Sequence, residues 1–200
     1  SGISIYDTYN SRIENNSLQG NSSPINIVRS YYANITNNTV IGTSTSVSDS
    51  AIKFSNSNDS LMINNTFVCG GCEGVELQWS HGMKFINTNM SGKRAIRSTG
   101  SNNTLVMDCI GVTGNVTLNS AGTVDNVFLN CSYNVSLENL LVADNELIRK
   151  WYYKAYVNNT AGVAIGGADV VVYNKSGDLQ FNLTTGSDGW TNRTNITEYI

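Results

Sequence analysis

Through the first two-thirds of the chain, short alternations of apolar and polar residues return at a nearly constant interval, beginning with Ile3-Ser4-Ile5 and Ile25-Asn26-Ile27. A two-residue period predicts short strands with one buried face rather than amphipathic helices. Apolar anchors stand at Ile3, Ile25, Ile52, Val75, Ile96 and Leu118, separated by 22, 27, 23, 21 and 22 residues. Ten residues after each anchor comes a second apolar residue: Ile13, Ile35, Met62, Phe85, Val106 and Phe128. Five after each comes a hydroxyl (Thr8, Ser30, Ser57, Ser80, Ser101, Thr123), and twelve after each comes Asn15, Asn37, Asn64, Asn87, Asp108 or Asn130. Columns that keep their offsets through successive units predict a repeat architecture.

A unit of about 22 residues buries no core by itself, whereas units stacked ~4.8 Å apart bury a continuous one. The prediction is an all-β chain: a right-handed parallel β-helix of about six to seven coils over residues 1–142. The Asn/Asp column is expected to face inward, each amide donating to the next rung and accepting from it. The Ser/Thr column is expected to do the same at another corner. Spare length falls in the loop 38–51, with Gly42-Thr43-Ser44-Thr45-Ser46, and less in Cys69-Gly70-Gly71-Cys72. Both are expected to bulge from one face, where solenoid insertions carry function. After Leu140 the period fails. Residues 143–150 read as a connector, and Leu147-Ile148-Arg149-Lys150-Trp151-Tyr152-Tyr153 as a lead into a different module at 151–200. Within it, 153–157, 168–173 and 179–184 read as strands, with turns at 158–162, 174–177 and 186–189.

The motif Ile13-Glu14-Asn15-Asn16-Ser17-Leu18, repeated at Ile35-Thr36-Asn37-Asn38-Thr39-Val40 and Met62-Ile63-Asn64-Asn65-Thr66-Phe67, resembles the parallel β-helix repeats of the NosD-like family and of pectin-lyase-like surface proteins. The string Gly162-Val163-Ala164-Ile165-Gly166-Gly167-Ala168-Asp169-Val170-Val171-Val172, with Thr185 and Asp188-Gly189-Trp190, resembles Ig-like domains of the carboxypeptidase-regulatory type. The combination looks like many archaeal cell-surface proteins. The resemblance implies the fold and says little of activity, because one solenoid serves lyases, hydrolases, adhesins and surface layers. A full sandwich of that type needs about 100 residues. The tail is therefore expected to be a partial Ig-like β-sandwich, either cut short or completed by strand addition from another molecule.

Composition narrows the function. Charged residues are 14% of the chain and the net charge is −3, which argues against nucleic acid as a partner. No apolar run approaches the roughly 18 residues that span a bilayer. The chain opens inside a patterned segment, so it is expected to be a processed or excised piece. Asparagine is the outlier, with 29 residues beside 23 Ser and 18 Thr. Chance would give about six N-x-[ST] acceptor triplets for N-glycosylation. The chain has 16, at Asn15, Asn21, Asn34, Asn37, Asn58, Asn64, Asn89, Asn102, Asn115, Asn130, Asn134, Asn158, Asn174, Asn182, Asn192 and Asn195. Repetition of one corner accounts for part of the excess, since Asn, Ser and Thr are also turn residues. The triplets beyond the repeats escape that account, and they point to a glycosylated, extracellular, cell-surface protein. Covalent N-glycans are the only non-protein groups expected, with no cofactor and no metal.

Cys109 and Cys131 occupy one position on adjacent coils, where stacked Cα atoms fall within disulfide range. Cys69 and Cys72 are placed to close the C-G-G-C loop, so two structural disulfides are expected. A redox reading of that loop lacks the strand-to-helix setting. Glycoside hydrolysis needs two carboxylates close together on an accessible face. The residues after the anchors are Ser4, Asn26, Lys53, Glu76, Arg97 and Asn119, with one acid among them, and Lys53-Glu76-Arg97 reads as a solvated ladder of opposite charges. Asp59 and Asp125 lie three coils apart, Asp108 sits in the ladder, and only the loop acids Asp49 and Glu73 are free to approach one another. No catalytic residue is assigned. Tyr6, Tyr9, Tyr31, Tyr32, Trp79 and His81 gather near one edge, a pattern that suits sugar rings or protein partners. His81 lacks a second His and the cysteines lack paired C-x-x-C sets, so neither zinc nor copper is expected. The expectation is a structural subunit of a surface layer, sheath or filament, joined to copies of itself or to other surface proteins. An adhesin binding polysaccharide comes second, and a polysaccharide lyase or hydrolase third.

Overall fold

The computed structural model describes residues 2–199. It is all-β apart from one 3₁₀ turn, Val135–Leu137, and its main body is a parallel β-solenoid of about seven turns. Seven strands stack in parallel on the first face: Ile3–Tyr6, Ile25–Val28, Ser50–Ser55, Thr66–Gln78, Asn89–Thr99, Gly111–Leu118 and Glu138–Leu140. A second face stacks Arg12–Glu14, Asn34–Thr36, Leu61–Ile63, Lys84–Ile86, Leu105–Met107, Asn126–Leu129 and Leu147–Tyr153, with Thr194–Tyr199 beside the last. Ser17–Gly20 and Thr39–Gly42 begin a third column that continues into the long strand Thr66–Gln78.

What lets the chain turn is a set of residues at positive φ, where Asn, Asp and Gly cost least. Three columns of them run along the solenoid. One is Asp7, Arg29, Asn56, Trp79 and Gly100; the next is Asn10, Tyr32, Asp59, Gly82, Asn103 and Asp125; the last is Asn15, Asn37, Asn64, Asn87, Asp108 and Asn130. Between the second and third corners the strands are only 3 or 4 residues long and pair without a register shift. The core column holds the register expected of it, with Ile13, Ile35, Met62, Phe85, Val106 and Phe128 opposite one another and buried.

One expectation of side-chain direction and one of register are corrected. The Asn15, Asn37, Asn64, Asn87, Asp108, Asn130 column faces out, because a residue in the left-handed corner sends its side chain away from the core. The inward ladder is the next residue along. The Asn16 and Asn38 N–H groups donate to Asn38 Oδ1 (3.0 Å) and Asn65 Oδ1 (2.9 Å), while Asn65 Nδ2 donates to the Ile35 and Ile63 carbonyls at 2.7 and 3.0 Å. That column continues through Thr88 to Cys109 and Cys131. The sixth anchor is also displaced: Val116, not Leu118, lies opposite Ile96, and Leu118 lies opposite Ser98. A slip of two keeps the same face inward, so apolar alternation alone does not distinguish the registers. The hydroxyl column does face inward, the N–H groups of Ser30, Ser57 and Ser80 donating to the Oγ atoms of Ser57, Ser80 and Ser101 at 3.1, 3.0 and 2.9 Å.

Cys69-Gly70-Gly71-Cys72 is a bend inside the strand Thr66–Gln78 rather than a bulging loop, and both cysteines are buried. The strand Leu147–Tyr153, expected to lead away, first completes a rung: Leu147, Ile148, Arg149 and Lys150 pair with Asn126, Val127, Phe128 and Leu129. Arg149 thus stands in the core column above Phe128. Its guanidinium lies 5.1 Å from the centre of the Tyr133 ring, with Nε 3.2 Å from Glu198.

Residues 2–150 with 198–199 form one compact unit, and 151–197 a second. The second unit contains the antiparallel hairpin Asp169–Tyr173/Leu179–Thr184. Tyr156 packs on Trp190 with ring centres 4.9 Å apart, Lys154 Nζ lies 4.6 Å from the Trp190 ring, and Arg193 lies 4.1 Å from the Tyr152 ring. None of its apolar side chains is buried; the buried side chains are Thr185 and Thr191. Among the described residues no helix is long and apolar enough to cross a membrane.

The two neighbouring asparagines of a corner should differ sharply on substitution. Asn65→Ala strands the Asn38 N–H and removes the amide bonds to the Ile35 and Ile63 carbonyls, the second of which keeps the Asn37 N–H, and is expected to cost about 2 kcal/mol. Asn64→Ala gives up only a residue suited to the left-handed corner and is expected to cost about 1 kcal/mol. Denaturant unfolding of the two variants checks the order.

Candidate functional site

Three features of the solenoid surface have chemistry beyond packing: the acceptor asparagines, a buried charge cluster, and the aromatic corner. The acceptors are positioned by the fold. Asn15, Asn37, Asn64 and Asn130 occupy one outward corner column, and Asn34, Asn58, Asn89, Asn102 and Asn115 lie on or beside strands with partly exposed side chains. Asn21, Asn134, Asn158, Asn174, Asn182, Asn192 and Asn195 are exposed. None of the sixteen is buried. The buried asparagines are Asn38, Asn65, Asn126 and Asn145, and none of these begins an acceptor triplet. Several acceptor amides already bond locally. Asn37 Nδ2 donates to Asn15 Oδ1 at 3.3 Å, Asn130 Nδ2 to Asp108 Oδ1 at 2.7 Å, and Asn174 Nδ2 to Asp178 at 2.9 Å.

The charged column on the first face has the expected register, Lys53 beside Glu76 beside Arg97, but it is not solvated. The Glu76 side chain is 1% exposed, with Lys53 Nζ at 3.2 Å, Arg97 Nη1 at 3.4 Å and Gln78 Nε2 at 2.7 Å. Glu73, in the same strand, is fully buried and held by Arg94, whose Nε lies 2.8 Å from both carboxylate oxygens. The loop after Gly42 packs against this cluster. The Glu73 N–H donates to the Asp49 carbonyl at 3.0 Å, Arg94 Nη2 reaches the Val47 carbonyl, and Ser44 Oγ donates to Asp49. Clefts of about 350 and 390 Å³ open beside Val47 and beside Ser48 and Asp49, the first lined also by Lys93, Arg94 and Asn115, the second by Asn26 and Lys53. Two glutamates thus share one strand, yet each is engaged by cations, the reverse of the free acid and base that hydrolysis requires. Asp59 lies apart at a corner, its Oδ1 packed against Gly82. Sequence reading missed this cluster because Glu73 and Arg94 pack against a loop 24 or more residues earlier in the chain, and Glu76 is enclosed by Lys53, Arg97 and Gln78.

The six aromatic-edge residues divide. Tyr9 and Tyr31 stack on consecutive rungs, ring centres 5.2 Å apart and planes 19° from parallel. Beside them Arg29 forks onto Asp7 through Nε–Oδ1 (2.6 Å) and Nη2–Oδ2 (2.8 Å), which holds the Asp7 carboxyl below its ordinary range. Tyr6 ends the first strand, its hydroxyl 3.4 Å from Asn26 Nδ2. Tyr32 and Trp79 hold corner positions at φ 57° and 51°, and the Trp79 ring covers Gly100, where any Cβ would collide with it. His81 serves the backbone: its N–H donates to Asn58 Oδ1 at 2.9 Å and its Nδ1 accepts from the Asn102 N–H at 3.1 Å, leaving the ring proton on Nε2.

Both expected disulfides form, Cys69–Cys72 and Cys109–Cys131, with Cα atoms 5.2 and 4.9 Å apart. Disulfides of this kind persist in oxidising, non-cytoplasmic compartments. Comparison with protein-family models, with curated proteins and with solved structures finds no match to this chain.

Burial raises the Glu73 carboxyl above its ordinary value, and Arg94 recovers only part of the shift. A carboxyl whose folded value is raised binds its proton more tightly when folded, so its contribution is fully present below the unfolded value and is lost as pH rises through the folded one. Wild-type stability should therefore fall relative to Glu73→Gln as pH climbs from the ordinary glutamate value of 4.5. Melting temperatures of both proteins across that window provide the check; parallel curves would refute the assignment. Native alkylation after mild reductant should label Cys109 before the fully buried Cys69 and Cys72. Replacing Cys109 and Cys131 together by Ala should cost about 3 kcal/mol for the loop they close.

Proposed function

We propose that this chain is a structural, exported glycoprotein, the stiff part of a cell-surface layer, sheath or filament. The observation that carries the reading is the division of the asparagines: every acceptor triplet begins on a side chain that reaches solvent, and every buried asparagine stands outside such a triplet. At the corner of Asn15, Asn37, Asn64 and Asn130 the fold itself favours this, since the left-handed position wants Asn and the strand two residues on favours Ser or Thr. The second unit has no such corner, and its acceptors Asn158, Asn174, Asn182, Asn192 and Asn195 are all exposed. Glycans along the solenoid sides would leave its ends for contact.

The same reading takes the hairpin Asp169–Tyr173/Leu179–Thr184 as part of an Ig-like sandwich. Val170, Val172, Phe181 and Leu183 are half-buried on it, and a face of that kind is completed by further strands. Repeated end-to-end contact between copies that does not close on itself makes a filament. The acids Glu73 and Glu76, both engaged by cations, favour a structural role over a hydrolytic one.

Glycopeptide mapping of the protein from its native source is expected to find glycans on several acceptors, those of the second unit included, and electron microscopy to find ordered assemblies. An unmodified chain present only as isolated molecules would overturn the proposal.

A further inference from the structure

The stacked tyrosines do not stand alone. Tyr9 and Tyr31 form one wall of a groove of about 500 Å³ whose other residues are Asp7, Arg29 and Asn56. Asp7, Arg29 and Asn56 are consecutive rungs of one corner column, so the groove runs along the solenoid axis, aromatic on one side and hydrogen-bonding on the other. Its volume lies within the range of small-molecule sites. Tyr9 is 68% exposed. The hydroxyls of Tyr9 and Tyr31 and the side-chain amide of Asn56 make no hydrogen bond to another described residue. Asp7 and Arg29 cancel each other's charge through their two-point contact, yet the carboxylate retains lone pairs and the guanidinium retains N–H donors. The groove thus offers an aromatic wall, paired donors and acceptors, a free amide and no net charge.

A neutral hexopyranose has the matching surfaces. Its C–H patch packs on an aromatic ring, and neighbouring hydroxyls each donate and accept, fitting a carboxylate–guanidinium pair as no simple anion or cation does. Arg29 also stands at φ 47°, a conformation that Arg rarely adopts. We propose that this corner groove is a binding site for neutral hexopyranose units of a glycan, with Tyr9 and Tyr31 as the stacking wall and Asp7, Arg29 and Asn56 as the hydroxyl-reading wall. The site is separate from the clefts beside the charged cluster. The acceptor Asn58 follows Tyr31 on the next rung of the tyrosine column, so binding is measured on the chain without glycans.

The test is calorimetric titration of the full chain with neutral tetrasaccharides of glucose, mannose, galactose and N-acetylglucosamine, with tetragalacturonate as the charged control. Binding of at least one neutral probe is expected, weakened about tenfold or more by Tyr9→Ala and by Asn56→Gly and unchanged by Tyr173→Ala, an exposed tyrosine of the second unit. Asn56→Gly removes the amide while keeping a residue suited to the left-handed corner, so it reports even if Tyr9→Ala disturbs the first coil. Absence of binding up to ~1 mM for every neutral probe, preference for tetragalacturonate, or undiminished binding by Asn56→Gly would overturn the proposal. A second arm identifies the source of the sugar. Capture of the glycan-bearing protein by aglycosylated protein, lost with Asn56→Gly, assigns the ligand to the glycans of another copy. Binding confined to free tetrasaccharides assigns it to an external polysaccharide.

Discussion

Each strand of the solenoid is completed only by the equivalent strand one turn later, and everything else follows from keeping that registration. Peptide groups in the strands pair along the axis without difficulty. Those at the corners have no ladder of their own, and a buried unpaired N–H is costly. The chain meets this with three columns of left-handed residues that make the turns, and with inward Ser, Asn and Thr side chains whose oxygens receive the corner N–H groups of the preceding coil. The apolar core fills the space that these corners enclose. The Cys109–Cys131 bond occupies the same column as the Asn16–Asn38–Asn65 ladder, so a covalent rung stands where the earlier coils use an amide.

How much of this was legible depends on where the chain is free to change length. Between the second and third corners the spacing is fixed, and the column from Ile13 to Phe128 was read without error. Insertions fall between the third strand of one coil and the first of the next, and there a shift of two residues placed Leu118 where Val116 stands. The inward and outward asparagines were exchanged because the first three coils use Asn for both, as Asn15-Asn16, Asn37-Asn38 and Asn64-Asn65. The distinguishing coils are the later ones. Asn87-Thr88, Asp108-Cys109 and Asn130-Cys131 keep the polar corner residue first and place the less polar residue second, on the side of the core. The positive-φ columns left a trace as well, in Asn10, Asp59, Asn103 and Asp125, an offset not used in reading the repeat.

The surface sites were less legible because they rest on contacts between segments far apart in sequence. The column Lys53, Glu76, Arg97 is written in the repeat, but its burial is not. The loop after Gly42 packs beside it and brings Asp49 and Val47 against Glu73 and Arg94. In the same way, six aromatic residues near one edge are not one surface: corner geometry joins Tyr9 to Tyr31, lays Trp79 over Gly100 and sets His81 into a backbone ladder. The repeat spacing places these residues close together, and the corners decide which of them face solvent as a pair.

Arg149 gives the solenoid a defined end. Six apolar side chains precede it in the core column, and a guanidinium braced by Tyr133 and Glu198 takes the seventh place. A further coil stacked beyond that point would displace Glu198 from the buried guanidinium, whereas a duplicated coil inserted ahead of it meets the same corners and the same ladders on both sides. Length is therefore adjustable in steps of ~4.8 Å at internal positions only. Lineages that lengthen or shorten this protein should do so by gaining or losing whole internal coils, with the terminal arginine carried along unchanged.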